Sequence, residues 1–109
     1  MRRGEIWTSA GGSAYAGKPR PVLIIQDDSY ADTNSIAVCL ITTEQIATSF
    51  IRPPLEPDAE NGLNESSRVM VDKIAAAPRS GLRKRVGRVS DGQMRAVEDA
   101  LMTYLGMAR

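Results

Sequence analysis

Histidine is absent from this 109-residue chain. That one absence removes the commonest routes to catalysis, because a serine or cysteine nucleophile has no imidazole to act as its base. A catalytic metal would have to be held by carboxylates. The adjacent pair Asp27-Asp28 offers two oxygens, but neighbouring residues at a strand end tend to point apart. The pair therefore reads as a solvated turn, and no metal or other cofactor is expected. Cysteine occurs once, at Cys39 inside an apolar run. One chain thus lacks both a disulfide framework and a thiolate metal site, which suits a reducing compartment. No apolar run approaches membrane-spanning length. The opening Met1-Arg2-Arg3-Gly4-Glu5 lacks the apolar core of a signal peptide. The expectation is a soluble, cytoplasmic protein. Neither a phosphate-binding loop nor a dinucleotide fingerprint is present.

What is there has the makings of one globular domain spanning 1–109. Hydrophobic residues make up 42% and charged residues 25%, a globular rather than a disordered balance. Formal net charge is only +1, but its distribution is uneven. Arg79, Arg83, Lys84, Arg85 and Arg88 crowd a segment that contains no acid of its own. Such a segment is either a solvated face or a contact for a polyanion.

The most informative stretch is Gly17-Lys18-Pro19-Arg20-Pro21, which runs into Val22-Leu23-Ile24-Ile25. Each proline fixes its own backbone and restricts the residue before it. Arg20 is thereby held at a stiff loop-to-strand junction. A guanidinium is a fork of donors suited to phosphate or carboxylate, and on a stiff backbone it loses less freedom on binding. The plainer reading, a solvated arginine at a strand start, stays open on these residues alone.

Short strands are predicted over Glu5–Thr8, Val22–Gln26, Ser35–Thr43, Ser67–Ile74 and Val86–Val89. Phe50–Leu55 is predicted as an edge strand, since Pro53 and Pro54 cannot donate to a ladder. In Ser67–Ile74, Val69 and Val71 should share one face and Met70 and Asp72 the other. Ser9–Gly17, rich in glycine, alanine and serine, reads as a mobile loop, and Asn61-Gly62 centres a turn. The end of the chain changes period. Met94, Val97, Leu101, Tyr104 and Leu105 fall at helical spacing. Ser90 and Gln93 form a capping box, and Gly106 is a stop. Strands followed by one helix predict a mainly β fold: a small, bent antiparallel sheet or barrel with the helix packed on it.

Taken in order, these segments resemble the MazF/PemK toxins. Arg3-Gly4-Glu5-Ile6-Trp7 is similar to that family's opening signature. The glycine-rich loop, Gly17-Lys18-Pro19-Arg20-Pro21, the strand Val22–Ile25, Leu40-Ile41-Thr42-Thr43, Val71-Asp72-Lys73-Ile74, Gly87-Arg88-Val89 and the terminal helix follow in its order. The resemblance implies an SH3-like small barrel and a homodimer. It also implies a sequence-specific, metal-independent endoribonuclease acting on single-stranded RNA, inhibited by a cognate MazE-like antitoxin. By position it implies catalytic roles for Arg20 and Thr42. It puts Asp72 where some members carry an active-site acid. Some members have an arginine two positions before that acid, where this chain has Met70, and a histidine in the first loop, which this chain lacks. The resemblance therefore leaves the general acid and base unassigned. The alternative within the same broad fold is a non-enzymatic toxin that binds DNA gyrase, as CcdB does.

The residues suit the implied chemistry. RNA carries its own nucleophile, the 2′-hydroxyl. Arg20 can stabilise a phosphorane. Thr42 can donate to a phosphate oxygen, although threonine also simply ends strands well. Asp72 serves as a base only if burial or neighbours raise its pKa; otherwise it is an ion-pair partner for Lys73 or Arg68. Lys18, Thr43, Arg83, Lys84 and Arg85 are the candidate RNA contacts. Trp7 reads as a core or dimer aromatic rather than a base-stacking platform.

Overall fold

The computed structural model describes residues 1–10, 18–46 and 51–108. The loop predicted over Ser9–Gly17 lies largely outside the described residues, as does Phe50. The described residues form six strands: β1 (Glu5–Ser9), β2 (Arg20–Ile24), β3 (Ser35–Thr42), β4 (Pro54–Leu55), β5 (Ser67–Pro78) and β6 (Leu82–Arg88). They form one antiparallel sheet in the order β4-β5-β3-β2-β1-β6, curled into a half-barrel. One helix, α1 (Asp91–Tyr104), follows.

Curling lets a single sheet bury both faces. On one side Ile6, Leu23, Cys39, Ile41, Leu55, Val69 and Val71 pack with Val97 of the helix. On the other, Val22, Ile24, Ile36 and Val38 close against Ala77 and Leu82. This is why β2 and β3 read as continuous apolar runs rather than as alternating strands. The helix begins as its sequence dictates, with the Ser90–Gln93 capping box closed in both directions, and it stops at Gly106, φ 73°. Its apolar stripe outruns the core it covers. Val97 is fully buried, but Met102, Tyr104, Leu105 and Met107 are about half exposed.

Three strands differ from expectation. β4 is only two residues long. Its stretch is anchored where the Pro53 carbonyl accepts from the Val69 N–H at 2.9 Å. β6 starts at Leu82 rather than Val86, because pairing with β1 carries the charged run Arg83-Lys84-Arg85 into the ladder. β5 runs on to Pro78, since Ala75, Ala76 and Ala77 pair with Val38, Ala37 and Ile36. Alanine has little strand preference, so tertiary pairing decides here. As expected, Val69 and Val71 share one face, both in the first core cluster; Met70, though buried, lies outside that cluster and lines a cleft with Thr42. The strand carries a bulge. Leu40 opposes Met70, yet the next residue, Cys39, opposes Ile74, so Val71, Asp72 and Lys73 have no counterparts on β3. A bulge bends its strand and re-aims its side chains.

The segment between β4 and β5 is knitted to β6. Asn61, fully buried, donates to the Glu56 carbonyl at 2.8 Å and accepts from the Asp58 and Leu63 N–H groups at 3.1 and 3.0 Å. Gly62 has φ 68°, and a β-carbon there would lie 2.3 Å from the Val86 carbonyl oxygen. A β-carbon on Gly87 would lie 2.3 Å from the Glu60 carbonyl oxygen. Backbone meets backbone here, and only glycine leaves room.

Candidate active site

Arg20 opens β2 opposite Ser9 of β1, and Thr42 closes β3 opposite Arg68 of β5. The strands end near one another, so both residues line one cleft of about 250 Å³ with Pro21, Thr43, Glu44 and Met70. Thr42 Oγ1 accepts a hydrogen bond from the Glu44 N–H at 3.1 Å. A hydroxyl that accepts in this way still has its own proton to donate. A second cleft of about 300 Å³ adjoins the first, sharing Arg20, Pro21, Thr43 and Ser67, and its far wall is Leu63-Asn64-Glu65. Sequence reasoning missed that wall. Nothing in the local sequence around Asn64 and Glu65 signals that a buried asparagine and two backbone contacts present them to Arg20.

Asp72 lies elsewhere. It lines neither cleft and is held by Arg52, Nε to Oδ1 at 2.9 Å and Nη2 to Oδ2 at 2.8 Å. Hydrogen bonding from Arg52 lowers the Asp72 pKa; partial burial works the other way and loses, while the charges of Arg52 and Lys73 add to the lowering. The condition for Asp72 to act as a base, a raised pKa, is not met. Nor is its partner Lys73 or Arg68. Arg52 is 5% exposed and stands before two prolines in a segment whose sequence gives no hint of a core ion pair. Arg68, for its part, donates to the Gln45 side chain at 2.6 Å and to the Arg52 carbonyl at 2.8 Å. It thereby ties the stretch after Thr42 to the stretch before β4.

The remaining expected contacts are dispersed. Lys18 is exposed two residues before Arg20 and lines neither cleft. Thr43 lines both. Arg83, Lys84 and Arg85 are exposed on β6, which pairs with β1 on the side away from β2. Arg85 Nε donates to Glu5 at 3.0 Å, so part of that positive run is neutralised within the fold. Trp7 is half-buried against the second core cluster and donates through its indole N–H to Glu5 at 3.0 Å. Among the described residues no group of three histidine, cysteine, aspartate or glutamate side chains is placed to hold a metal ion. None of the described helices is long and apolar enough to cross a membrane.

Known proteins share this fold and this sequence pattern. The profile of the PemK-like, MazF-like toxins of type II toxin–antitoxin systems matches residues 2–105. The chain is 45% identical over 108 residues to a probable endoribonuclease MazF of Mycolicibacterium smegmatis, with 99% of each chain covered. The fold is similar to that of a mycobacterial endoribonuclease solved in complex with its cognate antitoxin. There the TM-score is 0.82 and the identity 21%, covering 100% of this chain and 98% of the other. It is also similar to the MazE-MazF structure from Deinococcus radiodurans, with TM-score 0.76 and 20% identity, covering 99% of this chain and 98% of that one. The two structural likenesses speak for the half-barrel with its C-terminal helix. The profile and the full-length identity go further: the chain belongs to the PemK-like, MazF-like family of type II toxins.

Proposed function

We propose that this protein is the toxin of a toxin–antitoxin pair and an endoribonuclease that cuts single-stranded RNA at a short motif without a metal. The observation that carries this reading is the meeting of Arg20 and Thr42 from different strands in one cleft. The 2′-oxygen attacks the adjacent phosphorus, its proton passes to a base, and the P–O5′ bond breaks as the leaving oxygen gains a proton. The products carry a 2′,3′-cyclic phosphate and a 5′-hydroxyl. Arg20 neutralises the charge that grows on the non-bridging oxygens. Thr42 donates its hydroxyl proton to one of them. Glu44, which lines this cleft where Asp72 does not, takes the proton from the 2′-hydroxyl. Asp72 acts indirectly, by holding Arg52. The basic run on β6 adds non-specific attraction for the RNA backbone.

The gyrase-binding alternative does not need an arginine and a threonine converging in a cleft, and the family match supports the nuclease. A second copy of the chain covers the exposed apolar end of α1, giving a homodimer. A flexible acidic segment of the cytoplasmic antitoxin competes with RNA for the basic surface. The deciding experiment is incubation of the purified toxin with single-stranded RNA in excess EDTA. Discrete cuts with 5′-hydroxyl ends are expected. Cleavage that vanishes in EDTA and returns with magnesium overturns the metal-free mechanism. Intact RNA together with inhibition of gyrase favours the alternative.

A further inference from the structure

The wall facing Arg20 has chemistry of the wrong sign for a phosphate. Glu65 carries a negative charge, and its carboxylate makes no hydrogen bond or ion pair with any described residue; the same holds for the Asn64 amide. Both side chains are exposed and line the cleft that Arg20 and Thr43 share. They do not sit on a slack loop. The Ser67 hydroxyl donates to the Glu65 carbonyl at 2.9 Å, and the Ser66 hydroxyl donates to Glu56 at 2.5 Å. Asn61 and the contacts of Gly62 and Gly87 pin the turn from beneath. A carboxylate carried on this pinned backbone, beside the arginine that the reading above gives to the phosphate, repels the RNA backbone that the arginine attracts. What it attracts is a donor; the 2′-hydroxyl beside the phosphate is met by Glu44 in the reading above, and the next donors a nucleotide offers are those of its base.

We propose that Asn64 and Glu65 form a base-reading subsite that takes an amino-bearing nucleobase next to the scissile phosphate and rejects uracil. This rests on the ribonuclease reading above and adds the substrate feature that the cleft selects. A carboxylate accepts from the exocyclic amine of cytosine or adenine. It accepts at two points from guanine, whose N1–H and N2 amine lie side by side. Uracil offers one N–H between two carbonyl oxygens, both of which repel Glu65. Asn64, with a donor and an acceptor, completes the edge of the base. Unstacked bases of single-stranded RNA expose these edges, and rejection of the wrong base follows from leaving a polar group unpaired.

The test uses full-length toxin and a pool of short single-stranded RNAs randomised around one cut, with 5′ ends sequenced and kcat/KM compared between amino-bearing bases and uracil at each position. Wild-type toxin is expected to disfavour uracil at one fixed position beside the cut by about tenfold or more. Glu65→Gln, which replaces one acceptor by a donor, should collapse that ratio. Asn64→Ala should weaken it. Melting temperatures close to wild type establish that these exposed substitutions leave the fold intact. An unchanged ratio in folded Glu65→Gln protein overturns the subsite and leaves the ribonuclease standing. RNA left intact by wild type overturns both.

Discussion

Asp72 and Arg52 meet at two points, both carboxylate oxygens against two guanidinium nitrogens at 2.8 to 2.9 Å, and the bulge in β5 is what turns Asp72 toward this contact. The arginine is almost wholly buried. Removing one member leaves the other charged and largely out of water, Arg52 with 6% and Asp72 with 19% of its side chain exposed, which costs on the order of 2 kcal/mol. Arg52→Met should therefore lower stability by about that amount in urea unfolding. The double variant Arg52→Met with Asp72→Leu should recover much of the loss, because an apolar pair carries no desolvation cost. Equal losses in the single and double variants would show that packing, not charge, governs the site. Folded Asp72→Asn protein should lose far less cleavage than Arg20→Ala protein.

Arg20→Ala should reduce single-turnover cleavage by about a hundredfold or more, the usual scale for deleting one donor aimed at developing charge. Thr42→Ala should fall by a similar or somewhat smaller factor. Circular dichroism of both variants should match wild type, since neither side chain belongs to a core cluster. Near-normal cleavage by folded Arg20→Ala protein removes the arginine from the mechanism.

Glu5 links pH to stability. Its partial burial alone would raise its pKa. The Arg2 N–H, the Trp7 indole and the Arg85 guanidinium outweigh this and, with the N-terminal charge, bring it from 4.5 to about 2. A carboxylate whose folded pKa is depressed adds stability above its unfolded pKa and loses it as pH falls through the folded one. The contribution of Glu5 should be complete above pH 4.5 and fade between there and pH 2. Unfolding free energies measured across that window should slope less steeply for Glu5→Gln than for wild type. Parallel slopes would show that the Glu5 contacts do not survive in solution.

Cys39 should be chemically silent. Burial, and then the nearby charge of Asp72, raises its thiol to about 12, and no part of the residue reaches solvent. A thiol reagent at pH 8 should label the native protein only as fast as it unfolds, and label it at once in denaturant. Rapid stoichiometric labelling of native protein would place the cysteine at the surface.

The fold was readable where local chemistry and tertiary structure agree. The apolar runs Val22–Ile25 and Ile36–Ile41 and the Ser90–Gln93 box each dictate one local outcome, and the fold uses them with β2 shifted to begin at Arg20 and end at Ile24. Reading failed where pairing overrides propensity. Ala75-Ala76-Ala77 became strand only because β3 lies beside it, and the bulge at Val71–Lys73 displaced Asp72 from the cleft its position in the chain suggested. That Arg20 and Thr42 line one cleft follows from strand ends that converge. The placement of Arg52, Asn64 and Glu65 was not legible, because it comes from what lies across from them, tens of residues away in sequence.

The interlock between Gly87 and the Glu60 carbonyl sets an order of events in the life of the chain. β1 is paired on one side by β2, which follows it closely, and on the other by β6, more than seventy residues later. Contacts of such separation form late, since the chain must close a long loop before they are rewarded. Until β6 docks, Gly62 and Glu60 lack the backbone they pack against, and only the local bonds of Asn61 hold the wall bearing Asn64 and Glu65. The wall of the second cleft is therefore completed only with the last strand of the sheet, whereas the pairing of β1 with β2 needs only nearby chain.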